Sequence, residues 1–451
     1  MSKHKSKKKH IFYQKDQPQH FKGFRPGVTP PILPNENRRL RFMWNSNAIF
    51  VPSGYGVESR DILLRLHKDG WPLAHIAFTG LEGGLINLNG IPIYPKMGDA
   101  WGADAMIYHS RHFQAQAVFT MQDVWTLNSQ ALQQIPHWIP YVPIDQEPVP
   151  ENVLNALRFA YRIITFSKWG QKALNKAGFV STYIPEGTDI NIMKPQDKAE
   201  CRKMLNIPEG KFVVGMVGAN KENPPRKGWQ QALEAFAKFH QKHPDSIFFF
   251  ETNQEAPGGF PIRPYAQKLG IQDSLFAIDQ YMSVFHAGSE IMAKMYNAFD
   301  VLLHPSLSEG FGLCVVEAQS CGTPVIVNNA CSMPELIIPG VTGEICEHGE
   351  QFFTNALGYF VWPKVDSIIE KLEKIYNGDR VAMGKAAREH VLKNYDIDKI
   401  VKEHWIPYLE QLQEDLLPKG QTLQPTLQPQ LAPLQLKQAE LGSPEIKVIQ
   451  S

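Results

Sequence analysis

Cysteine is scarce and unpatterned in this chain. Cys201, Cys314, Cys321, Cys331 and Cys346 form no Cys-x-x-Cys pair and have no histidine at metal-ligand spacing, so neither a structural zinc nor a disulfide framework is expected. Cys314 and Cys321 sit in apolar context and read as small buried hydrophobes, a usage that fits a reducing cytoplasm. Excess charge of one sign is also missing: 46 Lys+Arg against 45 Asp+Glu leave a formal net charge of +1. That balance excludes a global electrostatic pull toward nucleic acid or membrane. No run approaches the ~18 apolar residues that would cross a bilayer. No apolar stretch follows the basic opening "MSKHKSKKKH", so no secretory leader is expected. The expected place is the cytoplasm, free or peripheral to a membrane.

What is present is an ordinary globular composition, 43% hydrophobic and 20% charged over 451 residues. That length exceeds one core, so two domains with tails are expected. Residues 1–39 are polar, basic and proline-containing, with five lysines among the first ten. They read as a solvated tail, or as an arm for nucleic acid or another acidic surface. From "RLRFMWNS" onward, short apolar runs alternate with helical patterns. "LAHIAF", "AMIYHS", "AVFTMQ" and "RIITFS" are predicted strands; "VESRDILLRLHKDG" and "SKWGQKALNKAG" are predicted helices ending at glycine. Such alternation implies parallel sheets with crossover helices. A Pro/Gly/Asn-rich break precedes a second round that starts at "FVVGMVGAN". The expected division is 40–206, 207–385, a helical segment 386–416, and a Gln/Pro-biased tail 417–451 that has no packing period.

The stretch "HPSLSEGFGLCVVEAQSCGTPVI" at 304–326 places two glutamates, Glu309 and Glu317, around apolar residues. An apolar strand, a glycine-bearing loop and a helix from about Leu313 are predicted there. Ligands of open α/β sheets sit beyond the carboxyl ends of strands, against helix N-termini. Gly310 and Gly312 would allow close backbone approach, and a carboxylate can accept both hydroxyls of a diol. The bland alternative is two solvent-facing glutamates beside a plain turn. The stretch closely resembles the donor-site signature of retaining GT-B glycosyltransferases, the family 4 (group 1) type. That resemblance implies an α/β fold of two Rossmann-like doubly wound domains facing across a cleft, with C-terminal helices crossing back to the first. The first domain would bind the acceptor and the second the nucleotide sugar. Glu309 would hold donor-sugar hydroxyls and Glu317 the nucleotide ribose, with the backbone of Phe311, Gly312 and Leu313 against sugar and diphosphate.

Other segments align with the same pattern. In "VGMVGANKENPPRKGWQQALEAF", Lys227 before Gly228 occupies the family's lysine position for the diphosphate. Asn220 and Lys221 stand where an arginine is usual, and Arg226 adjoins Lys227, so the second cation stays open among them. "NSNAIFVPSGYGVESRD" offers Gly54 and Gly56 after a strand, where relatives place a glycine-rich loop; a lone Gly-x-Gly is a weak signal. In "AVFTMQDVW", Gln122 replaces the usual histidine and Asp123 is kept. "YIPEGTDINIMKP" matches the interdomain hinge. A literal Asp-x-Asp, Asp396 and Asp398, reads as a helix cap rather than a metal site.

The resemblance implies retaining transfer of a sugar from a UDP- or GDP-linked donor to an unidentified hydroxyl acceptor, with no metal or cofactor required. Alternatives on the same fold are an epimerase, a phosphorylase, a nucleic-acid-associated glycosyltransferase of phage type, and a binding protein with a degenerate site.

Overall fold

The computed structural model describes residues 39–222, 224–254, 256–279, 288–355 and 357–417. The lysine-rich opening and the Gln/Pro-biased stretch from 418 lie outside the described residues. Two parallel-dominated sheets organise the rest. The first contains β1 (Phe42–Asn47), β2 (Leu73–Thr79), β3 (Ile86–Leu88), β4 (Ile91–Pro95), β5 (Ala117–Met121), β6 (Trp138–Val142), β7 (Ile164–Thr165) and β8 (Thr182–Tyr183). Their order is β3-β4-β2-β1-β5-β6-β7-β8, all parallel except the β3–β4 pair. The second sheet contains β9 (Phe212–Val217), β10 (Ser246–Glu251), β11 (Leu275–Ala277), β12 (Val301–His304), β13 (Val325–Asn328) and β14 (Gly343–Cys346). Its order, β11-β10-β9-β12-β13-β14, is wholly parallel.

The strand sequences explain both sheets. "FVVGMV" in β9 is buried throughout, the continuous apolar run that a strand covered on both faces requires. Phe212, Val214 and Met216 enter one core, while Val213 and Val217 enter another. The first sheet divides similarly, with Phe42 and Trp44 on one face of β1 and Met43 on the other. At its carboxyl end β1 changes character to Asn45, Ser46 and Asn47, so polar groups appear where the strand leaves the core.

One shared core joins the two sheets to the C-terminal helices. Helices Val365–Asn377 and Arg380–Asn394 precede Ile397–Ile400 and Ile406–Leu416. Trp405, between the last two, packs its ring 5.3 Å from Trp44 and 5.1 Å from Tyr141 of the first sheet. Asp396 caps the Ile397–Ile400 helix by accepting from the Asp398 amide at 3.0 Å. Asp398 pairs with Arg65, which also binds Asp189 at 2.9 Å. Both aspartates of the Asp-x-Asp therefore have structural partners, and no cluster of three or more His/Cys/Asp/Glu able to hold a metal occurs among the described residues. No described helix is long and apolar enough to cross a membrane.

Two local readings require correction. "AMIYHS" is not a strand: it lies in the helix Ala103–Phe113, which buries Ala105, Met106, Ile107 and Ser110 and exposes Tyr108. A short apolar run has no period long enough to separate the two states. The segment around Gly56 is not a free loop either, because Gly56 lies within the helix Gly54–Lys68 and is buried. A Cβ there would meet Val51 O at 2.4 Å, so this glycine serves helix packing. A hairpin of β15 (His348–Phe353) and β16 (Tyr359–Pro363) was unanticipated. It hydrogen-bonds back to Leu307 O through the Val361 amide at 3.2 Å.

Candidate functional site

Strand β12 ends at His304, and the loop 305–312 then carries the chain into the helix Leu313–Ser320. The loop is fixed from three sides. Leu307 N donates to Arg226 O at 2.7 Å, and Ser332 Oγ donates to Glu309 O and Phe311 O, both at 2.8 Å. From the first sheet, Asp145 O accepts from Ser308 Oγ and from Cys331 Sγ, the latter at 3.0 Å. Gly310 sits where the two halves touch: a Cβ would lie 2.6 Å from Pro143 Cβ. Gly228 meets a similar constraint beside Lys227. It has φ +76°, and a Cβ there would be 2.4 Å from Pro305 O, so the Lys227 turn and the Glu309 loop are locked together.

Glu309 is 7% exposed and saturated with donors. Lys227 Nζ binds Oε1, Arg226 Nη1 binds Oε2 at 3.3 Å, and His304 Nε2 lies 3.1 Å from Oε1. Burial alone would raise this carboxyl, but Lys227 and then Arg226 overcome it and hold Glu309 well below the usual carboxylate range. An ionised carboxylate only accepts, so His304 must carry its proton on Nε2. Nδ1 is then left to accept from Cys314 Sγ at 3.2 Å. Burial lowers the histidine, keeping it neutral against the opposing pull of Glu309. Arg226 also donates to Ser308 O at 2.7 Å. Its own pKa is raised: burial opposes this, and Glu309 followed by Asp145, Glu222 and Asp123 prevail.

Glu317, 8% exposed, accepts from Tyr296 Oη at 2.7 Å. Burial pushes it up to about 7, with the Tyr296 bond opposing. Arg60 of the first-half helix reaches over to Ser289 Oγ at 3.1 Å, and a small cavity lined by Arg60, Asp61, Gly187, Ser289 and Glu317 lies between.

The opposite wall is acidic. Asp145 is pushed up to about 6 by burial, against Arg226. Asp123 is raised by burial, again with Arg226 opposing. Glu186 is pushed up to about 8 by burial and then by Glu309 and Glu317, while Lys227 pulls it down. Glu58, on the helix Gly54–Lys68, accepts from Gly187 N at 3.2 Å. Tyr55 is raised well above its usual value by burial and by Asp123, Glu186 and Asp145. Two cations thus face several carboxyl groups across a seam between the sheets, an arrangement that can accept an anion at Arg226 and Lys227 once Glu309 releases them.

Of the residues singled out from sequence, Glu309, Gly310, Phe311, Gly312, Leu313, Glu317, Lys227 and Arg226 come together here, and Asp123 faces Arg226. Asn220 does not join them. Its carboxamide clamps Phe260, Nδ2 donating to the carbonyl at 2.9 Å and Oδ1 accepting from the amide at 2.7 Å. Lys221 is exposed. Gln122 is buried at the end of β5, where its Oε1 accepts from Asn45 Nδ2 at 2.7 Å. Sequence reasoning missed His304, Tyr296, Asp145 and Tyr55. His304 lies within the quoted 304–326 stretch and Tyr55 between the quoted Gly54 and Gly56; Tyr296 and Asp145 enter through tertiary contact and left no local signal.

Residues 197–390 match the model of the family described as glycosyl transferases group 1. Among curated proteins, the D-inositol 3-phosphate glycosyltransferase of Segniliparus rotundus is 30% identical over 167 residues, 36% of this chain and 35% of that protein. The protein of the same description from Corynebacterium jeikeium is 28% identical over 219 residues, 47% of each chain. The chain therefore spans about a third to a half of the length of these relatives. Among solved structures, sucrose-phosphate synthase from Thermosynechococcus elongatus superposes with TM-score 0.68 at 18% identity, over 83% of this chain and 99% of that one. HepE of Anabaena, in complex with UDP and glucose, gives 0.62 at 18% identity, over 82% and 99%. These likenesses show the fold, the GT-B arrangement of two α/β halves.

Proposed function

Taking as premise that residues 197–390 carry the group 1 glycosyl transferase pattern, we propose that this chain transfers a sugar from a nucleoside-diphosphate donor to a hydroxyl acceptor with retention of configuration. The observation that carries the reading is the Lys227–Glu309–Arg226 cluster at the carboxyl end of the second sheet, facing the first. The second half, near 207–385, binds the donor; the first, near 40–206, presents the acceptor; residues 386–416 tie them together. A diphosphate displaces Glu309 from the two cations, which then stabilise the charge that develops as the glycosidic bond breaks. Glu309, freed from them, turns to hydroxyls of the sugar. Glu317, which accepts from Tyr296 Oη, takes the ribose diol. The acceptor hydroxyl attacks the anomeric carbon from the face the diphosphate leaves, and its proton passes to that diphosphate. Cations of the chain itself do the work a divalent ion does elsewhere, so turnover is expected to survive chelation. The UDP seen in HepE favours UDP-linked donors for the first trial, with GDP-linked ones beside them.

The test is turnover of radiolabelled UDP- and GDP-sugars by the full chain, with anomeric configuration read by NMR. Lys227→Ala and Glu309→Ala are expected to abolish most of it. Wild-type rates in both variants would remove the assignment.

A further inference from the structure

Strands β4, β2, β1 and β5 are adjacent and parallel, so their carboxyl ends share one edge of the first sheet. Four large apolar side chains leave that edge exposed: Phe50 (46%) after β1, Met97 (43%) and Trp101 (41%) after β4, and Trp125 (55%) after β5. β6, next in order, delivers Pro143 and Asp145 from the same edge to Gly310 and Ser308. The rim is therefore continuous with the seam that holds Glu309.

The rim is built rather than loose. Trp101 O accepts from Asn45 Nδ2 at 3.2 Å, and its N donates to Asp99 Oδ1 at 2.9 Å. The Trp101 ring lies 5.8 Å from Phe78. Trp125 stands on a short turn fastened by Thr126 Oγ1 to Asp123 O at 2.6 Å. Charge narrows what such a rim can hold. Segments 48–53, 80–104 and 122–126 contain the acids Glu82, Asp99, Asp104 and Asp123 against a single base, Lys96, which pairs with Glu82 at 2.6 Å. An anionic bilayer needs basic residues around its apolar anchors, and a phosphorylated acceptor needs cations; these segments offer neither. A sugar ring suits both features, because its C–H faces stack on the negative face of an aromatic ring and its hydroxyls donate to carboxylates. The four strand ends span three interstrand spacings, on the order of 14 Å, wider than one monosaccharide.

We infer that this rim is the acceptor subsite, and that it takes a chain of neutral or amino sugars stacked on Trp101 and Trp125. The inference rests on the glycosyltransferase reading and names its acceptor class.

The test measures binding of maltohexaose, cellohexaose, mannohexaose, chitohexaose and its deacetylated form to the full chain, with UDP present. Inositol phosphate and phosphatidylglycerol vesicles serve as competing classes. At least one hexasaccharide is expected to bind, with Trp101→Ala weakening it tenfold or more, Trp125→Ala acting in the same direction and Trp101→Phe restoring most of it. The midpoint shift produced by UDP should be equal in all four proteins, which also verifies that the variants fold. Failure of every hexasaccharide, indifference to both tryptophans, or Trp101-dependent preference for the vesicles or for inositol phosphate would overturn the inference. Glycan binding without any response to UDP or nucleotide sugars would sink the donor reading and leave the rim as a glycan-binding surface with no acceptor role; the converse would sink the subsite alone.

Discussion

The two walls of the seam are built on opposite principles. On the second-sheet wall, charges are paired and backbone is locked: Glu309 engages three donors, and Gly228 and Gly310 sit against Pro305 and Pro143 with no room for a side chain. On the first-sheet wall, carboxyls outnumber cations and large rings stand open to solvent. A group that leaves with negative charge has only one wall to go to. The difference teaches that chemistry and acceptor choice are separable in this molecule, and substitutions should separate them.

The largest effect belongs to the locked wall. Removing the Lys227 ammonium in Lys227→Ala should cost about 10²–10³ in turnover, the range for losing one preorganised donor. Glu309→Gln should lose turnover comparably, yet bind free UDP more tightly, because Lys227 and Arg226 are no longer occupied by an anionic neighbour. Calorimetric titration with UDP checks this, and equal or weaker affinity in Glu309→Gln would show that the cations do not serve the diphosphate.

Next is the contact between the walls. Gly310→Ala brings a methyl to 2.6 Å from Pro143 Cβ and 2.9 Å from its Cα. Gly310 is not in the left-handed region, so alanine should be tolerated within its own half and resisted only by the other. A misplacement of that kind can cost on the order of 10² in rate. UDP affinity should stay within a few-fold of wild type, and a large loss of affinity would mean that donor binding, not alignment, depends on the contact.

These two regions were unequally legible before any coordinates. The 304–326 stretch carries its meaning locally, since strand, loop and helix follow one another in sequence and the glutamates ride on them. Lys227 was found the same way. The choice among Asn220, Lys221 and Arg226 was not, because only the fold shows Asn220 clamping Phe260 and Arg226 turned onto Ser308 and Glu309. Both sheets were visible as apolar runs, whereas the Ala103–Phe113 helix was misread because "AMIYHS" alone has no resolvable period. Trp101 lies in a loop of no recognisable pattern and Trp125 closes the quoted stretch "AVFTMQDVW" without a signal of its own, and only strand order brings the two to one edge.

A pH effect of intermediate size links the walls. Glu186 is pushed up to about 8, first by burial and then by Glu309 and Glu317, against about 4.3 for a free glutamate. Between those values the folded chain holds a proton that the unfolded chain has released. Stability is therefore greatest below the unfolded value and falls as pH rises through the folded one. Glu317, at about 7, adds to the same slope. The thermal midpoint should drop from pH 5.5 to pH 8.5, and Glu186→Gln should flatten that drop by about 1 °C for each kcal/mol relieved in a fold of this size. A slope unchanged in Glu186→Gln would place the titration elsewhere.

The smallest expected effect is the sharpest on assignment. Lys221 is exposed, and the resemblance made it one of the candidates for the second cation. Arg226 makes the contacts instead, with Ser308 O at 2.7 Å and Glu309 Oε2 at 3.3 Å. Lys221→Ala should shift stability by no more than about 0.5 kcal/mol and leave turnover within about twofold, since a solvated ammonium contributes little at short range in water. Arg226→Ala, measured beside it, should fall toward the Lys227→Ala rate, because it removes a guanidinium that faces the carboxyls of both walls. If Lys221→Ala were the more damaging of the two, the loop would have to rearrange on donor binding to bring Lys221 inward. The pairing of Arg226 with Glu309 would then describe only the resting seam.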